Sequence, residues 1–220
     1  MYYRPGQFKS FFLIAFVFSM SLIACKRDQV VKSSNEEIPT ASPTLGASTN
    51  SPAAHIIASE SLNIPATVAV PENLPNGNSR VATYYAMGVQ KYKARIKTGS
   101  DPVAYEWVFL APQADLYDIT NKKVGMHGAG PFWQISPLDL IFGQQFTPAK
   151  TAPAEDPESI DWLLLMPKIG TTLTGTFTDV DYIQRIATKG GKAPLTLPSD
   201  INETIDVKYK AVYRFTKINP

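Results

Sequence analysis

Residues 205–216 read IDVKYKAVYRFT, from Ile205 to Thr216. Every second residue from Ile205 to Phe215 is apolar or aromatic, while the residues between them are mostly charged or polar. Successive side chains of a β-strand point to opposite faces, so this period of two predicts a long strand with one apolar face. We expect Tyr209, Tyr213 and Phe215 to lie in the core.

The same alternation occurs earlier in the chain. Residues 90–97 place Gln90, Tyr92, Ala94 and Ile96 opposite four cationic side chains, and residues 105–110 alternate around Trp107. Further strand candidates are the apolar stretches 138–142, 162–166 and 173–186. A helix start is indicated only at Asp156-Pro157-Glu158. The pattern predicts an all-β domain, a sandwich or barrel of roughly eight strands.

The first 24 residues resemble an export signal. Arg4 and Lys9 precede an uncharged apolar run of 15 residues, Ser10 to Ala24, which is shorter than the roughly 20 residues of a spanning helix. The run ends in Leu22-Ile23-Ala24-Cys25, which resembles the lipobox of bacterial lipoproteins. We expect lipid on Cys25 to hold the protein at the bacterial cell envelope, on the outer membrane or facing the periplasm. An ordinary cleaved signal is the alternative.

Residues 25–59 differ in composition from the rest of the chain. They are rich in Ser, Thr, Ala, Pro and Asn, and no aromatic residue occurs between Phe18 and Tyr84. Such a segment buries too little apolar surface to offset its ordering entropy. We therefore predict a disordered tether over residues 25–59, with His55 in solvent, and a folded domain over residues 60–220.

Charge and cysteine content exclude several functions. The chain has 21 basic and 19 acidic residues, and loss of Arg4 and Lys9 with the signal leaves 19 of each. A neutral domain gives no indication of nucleic-acid binding. Cys25 is the only cysteine, so the domain has no disulfide and no cysteine metal site, and we expect neither a metal nor a cofactor.

A glycine-rich segment carries the clearest candidate for chemistry. Residues 124–133 hold three glycines, two aromatic residues and His127, the only histidine of the predicted domain. A structural interpretation has His127 held by backbone hydrogen bonds in a turn with at least one positive-φ glycine. A catalytic interpretation pairs His127 with Asp115 or Asp181 as a base. No Gly-x-Ser-x-Gly nucleophile motif is present.

Other residues complete the candidate ligand site. We expect Trp133, beside the glycine turn, to be partly exposed, and Trp107 and Trp162 to be in the core. Gln184 and Arg185 are polar residues in an apolar stretch, and we predict that they approach the turn, with Arg185 reaching Asp115 or Asp118. The predicted site thus consists of His127, Trp133, Asp115, Gln184 and Arg185.

Motifs in a fixed order cover nearly the whole domain. They are Gly88-Val89-Gln90 with Tyr92; Trp107, Pro112 and Ala114-Asp115-Leu116-Tyr117-Asp118; Val124-Gly125, His127, Ala129-Gly130-Pro131 and Trp133; Trp162-Leu163-Leu164-Leu165; Ile183-Gln184-Arg185, Thr188, Gly190-Gly191 and Ala193-Pro194; and Tyr209, Ala211, Tyr213 and Phe215. This set resembles the domain of unknown function 3455 family of secreted bacterial and fungal proteins, over roughly Ile64 to Phe215.

Two positions depart from that family. The resemblance implies one cysteine where Ala94 stands and another near Leu195 to Leu197, and this chain has neither. It also implies Asp-Gly-Ser after the tryptophan, where this chain has Ile135-Ser136-Pro137. The resemblance implies no particular activity. Two hypotheses remain: a non-catalytic module that binds a glycan, a small ligand or a partner protein, or a hydrolase-like enzyme that uses His127 with a nearby aspartate.

The lipid anchor leads to a direct prediction. Replacing Cys25 with Ser removes the acylated thiol, so the protein should move from the detergent phase to the aqueous phase in detergent phase partitioning of whole-cell extracts. A Cys25→Ser protein that stays in the detergent phase would place the anchor elsewhere.

Overall fold

A computed structural model describes residues 48–220. This part contains one α-helix, α1 (Pro52–Ser59), a 3₁₀ turn at Gly175–Phe177 and eight strands. The strands are β1 (Asn78–Ile96), β2 (Tyr105–Tyr117), β3 (Lys123–Gly128), β4 (Phe132–Ser136), β5 (Asp139–Ala152), β6 (Trp162–Pro167), β7 (Tyr182–Gly190) and β8 (Thr204–Ile218). Each strand pairs antiparallel with the next, and β8 pairs with β1 to close a barrel. The all-β prediction is confirmed.

The apolar face of β8 points into the barrel. Tyr209, Tyr213 and Phe215 are at most 2% exposed, which confirms their predicted place in the core. Tyr213 lies opposite Tyr84 of β1, and the two longest strands pair along almost their full length. Because the barrel is closed, neither strand has a free edge. Alternate side chains along each strand therefore point into the barrel and out of it.

One end of the barrel is filled by the connection between β6 and β7. Phe177 is fully buried there, with its ring centroid 4.8 Å from that of Phe215 and 6.5 Å from that of Tyr84. The prediction of a long strand over residues 173–186 is wrong in its first half. Gly175 has a φ of 58°, which is incompatible with an extended strand, and β7 begins only at Tyr182.

The expected helix start at residues 156–158 forms a turn instead. The Asp156 carboxylate accepts hydrogen bonds from the Glu158 amide at 3.0 Å and from the Ser159 hydroxyl at 2.9 Å. These are capping interactions, but the chain then enters β6 at Trp162 without a helical turn. Local capping chemistry was predicted correctly, but pairing with β5 and β7 makes the residues after the cap a strand.

The prediction that the tether extends to Ser59 is wrong for residues 52–59. Ile56 of α1 is 5% exposed and packs, with Val68, against an outer apolar cluster on the barrel wall that includes Trp162 and Val212. His55 stacks on the ring of Tyr85 at 4.6 Å rather than lying free in solvent. An eight-residue helix is marginal alone, so this tertiary packing stabilises it. Residues 25–47 of the predicted tether lie outside the described residues.

A charge pair joins the same segment to the barrel. The guanidinium of Arg214, on the outer face of β8, lies 3.1 Å from a Glu60 carboxylate oxygen and 3.2 Å from the Ser59 hydroxyl. Because the Arg214 side chain is only 7% exposed, its charge needs these partners. Within residues 48–220, no helix combines the length and apolar character required to cross a membrane.

The buried face of β8 can be tested directly. Phe215→Ala should lower the free energy of unfolding by about 3–5 kcal/mol, because it removes a fully buried ring that contacts Phe177 and Trp133. The matched control is Ile218→Ala on the same strand, where the side chain is 41% exposed, and its effect should be under about 1 kcal/mol. Chemical denaturation measures both. Equal effects would show that the interior contacts of Phe215 do not stabilise the fold.

Candidate functional site

The barrel interior is packed at the Phe177 end and contains a cavity of about 620 Å³ towards the other end. All eight strands contribute to its wall, together with the β3–β4 turn and two loops. The lining residues are Gln90, Tyr92, Phe109, Leu110, Pro112, His127, Ala129, Gly130, Pro131, Trp133, Gln144, Gln145, Thr151, Ile160, Asp161, Leu163, Leu165, Arg185, Lys192 and Tyr213.

An aromatic layer of His127, Trp133 and Tyr213 forms the base of this cavity. His127 and Trp133 are register partners on β3 and β4, and their rings stack at 4.6 Å with an interplanar angle of 13°. The Tyr213 ring meets Trp133 edge-on at 5.1 Å. The prediction that Trp133 is partly exposed is wrong, since the side chain is fully buried. It borders the cavity from inside the barrel, not from the surface.

Both ring nitrogens of His127 are hydrogen-bonded. The distance from Nδ1 to the Phe132 carbonyl oxygen is 2.7 Å, and that from Nε2 to the Tyr213 hydroxyl is 3.1 Å. A carbonyl can only accept, so Nδ1 carries the proton and Tyr213 donates to Nε2. Burial, and to a lesser degree the charge of Arg185, lower the pKa of His127 to about 4. The imidazole is therefore neutral at pH 7, and its predicted anchoring to the backbone is confirmed.

Two glycines give the segment its shape. Gly130 has a φ of 115° in the β3–β4 turn, as predicted, where an L side chain would be strained. At Gly125, a β-carbon would overlap the Gln134 carbonyl of the neighbouring strand. Glycine at these positions lets β3 and β4 pair closely enough to stack His127 on Trp133.

Arg185 lies in the cavity wall, but not on its predicted partner. Its Nε and Nη2 atoms donate to the Asp161 main-chain carbonyl, at 3.1 and 2.7 Å. The predicted pair with Asp115 or Asp118 is wrong. Asp115 is bound to Lys123 at 2.8 Å on the outside of the barrel, and Asp118 accepts amide hydrogen bonds within the β2–β3 turn.

Gln184 also lies outside the cavity. Adjacent residues of a strand point to opposite faces, so Gln184 and Arg185 do not share a site. The Gln184 amide donates to the Val68 carbonyl at 2.8 Å, beneath the N-terminal segment. Of the five predicted site residues, the structure brings together His127, Trp133 and Arg185 and places Asp115 and Gln184 elsewhere.

The other two tryptophans are not in the barrel core. Trp162 is buried, as predicted, but in the outer cluster beneath α1. Trp107 is only half-buried, and its indole donates to the Thr196 carbonyl at 2.9 Å. The expected core position of Trp107 is wrong, because it lies outside both apolar clusters and is bound to the β7–β8 loop.

Several lining residues were not predicted from the sequence, and Gln90 is the most informative of them. It is 2% exposed, and its amide nitrogen has no hydrogen-bond partner among the described residues, as is also true of the Trp133 indole nitrogen. The signal was present in the sequence, because Gln90 is the polar member of an otherwise apolar strand face. Tyr213 was assigned to the core and Leu163 to a strand, and neither could be recognised as a cavity residue from periodicity alone.

The surroundings of His127 contain no acidic partner. Among the cavity residues Asp161 is the only acid, and the carboxylates of Asp115 and Asp181 are engaged elsewhere, Asp181 with the Ile218 amide at 2.7 Å. Residues 48–220 contain no group of three or more His, Cys, Asp or Glu side chains that could hold a metal ion.

The buried neutral histidine predicts a specific pH dependence. The folded pKa of about 4 lies below the unfolded value of 6.5, so the unfolded state takes up the proton first as the pH falls. Stability should therefore decrease between about pH 6.5 and pH 4. His127→Gln should remove about 3 kcal/mol of this dependence, as measured by urea unfolding at several pH values.

His55→Gln is the matched control. Burial also lowers the pKa of His55, but this ring is less enclosed, so the substitution should change the pH dependence less. An unchanged profile in His127→Gln would contradict a neutral His127 in the fold.

Comparison with known proteins identifies the family of this chain. No curated protein and no solved structure matches the sequence. The family described as Protein of unknown function (DUF3455) matches residues 75–217, which include all eight strands of the barrel except the last residue of β8. The chain therefore belongs to the DUF3455 family.

Proposed function

We propose that the barrel is a non-catalytic binding module that holds a small molecule in its cavity. One observation carries this proposal: a cavity of about 620 Å³ contains buried donors, on Gln90 and Trp133, with no partner among the described residues. Pockets of about 300–1,000 Å³ are typical of small-molecule sites. A buried donor without a partner costs about 1–3 kcal/mol, which a bound acceptor would offset.

The character of the wall favours a compact ligand with an apolar surface over a glycan. Phe109, Leu110, Ile160, Leu163 and Leu165 contribute apolar side chains to the wall. Glycans present hydroxyl groups on every edge, and each needs a polar partner when it leaves water. Polar side chains such as Gln90, Gln144, Gln145 and Thr151 are present in the lining, but most of its exposed surface is apolar, which suits an apolar ligand better than a glycan.

The geometry of His127 supports binding rather than catalysis. A general base must have a free nitrogen within reach of the substrate and a pKa near the working pH. Both nitrogens of His127 are occupied by protein groups, and its pKa is about 4. His127 instead fixes the position of Trp133 and Tyr213.

We propose further that the module acts at the bacterial cell envelope, attached by lipid on Cys25. The basis is the sequence of residues 1–25, with its charged start, apolar run and Leu22-Ile23-Ala24-Cys25 ending. Such attachment would keep the cavity close to a membrane.

The binding proposal can be tested with a neutral apolar dye. N-phenyl-1-naphthylamine, excited directly, should increase in fluorescence when it enters the cavity of the wild-type protein. Leu163→Trp should weaken dye binding and so reduce the increase, because the larger side chain occupies part of the cavity beside Arg185. Titration of dye into purified residues 25–220 measures the effect.

Met126→Trp is the matched control. Met126 is 52% exposed on the outer face of β3, next to His127, so this substitution adds the same ring outside the barrel and should leave dye binding unchanged. Dye binding that is equal in all three proteins, or absent from the wild type, would overturn the cavity as a binding site.

A further inference from the structure

We infer that the ligand is a carboxylate with an apolar body, whose carboxylate is bound by the end edge of the Arg185 guanidinium. This inference rests on the proposed function and specifies the class of ligand. It depends on how Arg185 is held, on the charge balance of the cavity and on the nature of the adjoining wall.

Arg185 is oriented by the protein main chain. Nε and Nη2 both donate to the Asp161 carbonyl, which uses the side edge of the guanidinium and fixes its plane. The end edge is formed by Nη1 and the second Nη2 proton. Residues 48–220 bring no carboxylate or carbonyl to this edge, and the Tyr213 hydroxyl is the neutral group that interacts with the guanidinium. Two parallel N–H groups on one edge match the two oxygens of a carboxylate.

Arg185 forms no ion pair, although Asp161 lines the same cavity. None of the ion pairs within the described residues includes Arg185. Its positive charge lowers the pKa of His127 and acts in the same direction on Tyr92, Tyr209 and Tyr213. Burial is the larger influence on all four groups, but each also lies within the field of the Arg185 charge, and an anion in the cavity would be attracted by the same field.

The second cation of the lining is already engaged. The Lys192 ammonium donates to the Pro157 carbonyl at 2.7 Å. The guanidinium of Arg185 is thus the oriented cation of the cavity, and one such group suits a ligand with a single negative charge rather than a dianion. The nine-tenths buried donors on Gln90 and Trp133 add hydrogen bonds for a ligand acceptor, and neither carries charge.

Apolar side chains line the same cavity as Arg185. Leu163 is its register partner on β6, and Phe109 and Leu110, about half exposed, lie in the lining on β2. Exposed apolar side chains bordering a cavity mark a route for an apolar ligand. A carboxylate on Arg185 would place an attached alkyl or aryl body against these residues.

The test compares decanoate with decan-1-ol, which share a ten-carbon chain and differ in the charged group. Each is titrated against bound N-phenyl-1-naphthylamine at pH 7.5, below its aggregation limit. In the wild-type protein decanoate should displace the dye about ten- to a hundredfold more effectively than decanol, as expected for a charge-assisted hydrogen-bond pair. Arg185→Gln should remove this preference, so that decanoate and decanol displace the dye equally well.

Arg95→Gln is the matched control, since Arg95 is an exposed arginine paired with Glu106 at 2.6 Å outside the cavity lining. It should keep the full preference for decanoate. Arg185→Lys retains the positive charge but lacks the two parallel N–H groups of the guanidinium, so it should keep only part of the preference for decanoate. Dye binding by each variant shows that its cavity is folded.

The outcomes separate the two proposals. If the dye binds in the cavity but decanoate and decanol compete equally in the wild type, the carboxylate inference is wrong and the binding module stands. A preference that survives in Arg185→Gln also overturns the inference. If the dye does not bind the wild type, the proposed function itself fails.

Discussion

The hydrogen-bonded aromatic layer of His127, Trp133 and Tyr213 is the contact on which the rest of the barrel depends. It joins three strands: the ring of His127 on β3 is bound to the Phe132 carbonyl of β4 and to the Tyr213 hydroxyl of β8. On one side of the layer, aromatic residues and Phe177 fill the interior completely. On the other side lies the cavity. The layer thus connects β3, β4 and β8 across the interior, between the packed end of the barrel and the cavity.

The layer also determines the electrostatics of the cavity. Burial keeps His127 neutral and raises the pKa of Tyr213, so both groups remain uncharged at neutral pH. Arg185 is then the dominant charge beside the layer, and its guanidinium is held by a carbonyl rather than by a carboxylate. An ion pair with an aspartate would cancel the field that the cavity presents to a ligand. The fold and the proposed binding are therefore connected through Arg185, whose partner is a main-chain carbonyl and not a carboxylate.

Local pattern in the sequence predicted much of the fold, and long-range pairing accounts for most of the errors. The period of two in β8, the polar Gln90 on the apolar face of β1 and a positive-φ glycine in the turn that contains Gly130 could all be predicted from the sequence. Closure of the barrel could not be predicted from the sequence, because the pairing of β1 with β8 joins residues more than 100 positions apart. The helix α1 was missed for a similar reason: Ile56 is buried only because the barrel offers an outer apolar surface. Arg185 and Asp115 were assigned to each other by charge alone, and the barrel places them on its inner and outer faces.

A loop at the cavity end shows how the chain manages without a disulfide. The resemblance to the family implies cysteines at Ala94 and near Leu195 to Leu197. Here Ala94 is the register partner of Trp107, and the Trp107 indole donates to Thr196, so a hydrogen bond joins the same two regions. An intramolecular hydrogen bond contributes about 0.5–1.5 kcal/mol, against about 2–4 kcal/mol for a disulfide. Leu195 is 92% exposed and adds little packing. The β7–β8 loop is therefore attached to the barrel more weakly than a disulfide would attach it. The free energy needed to displace this loop is small compared with that needed to separate a pair of strands.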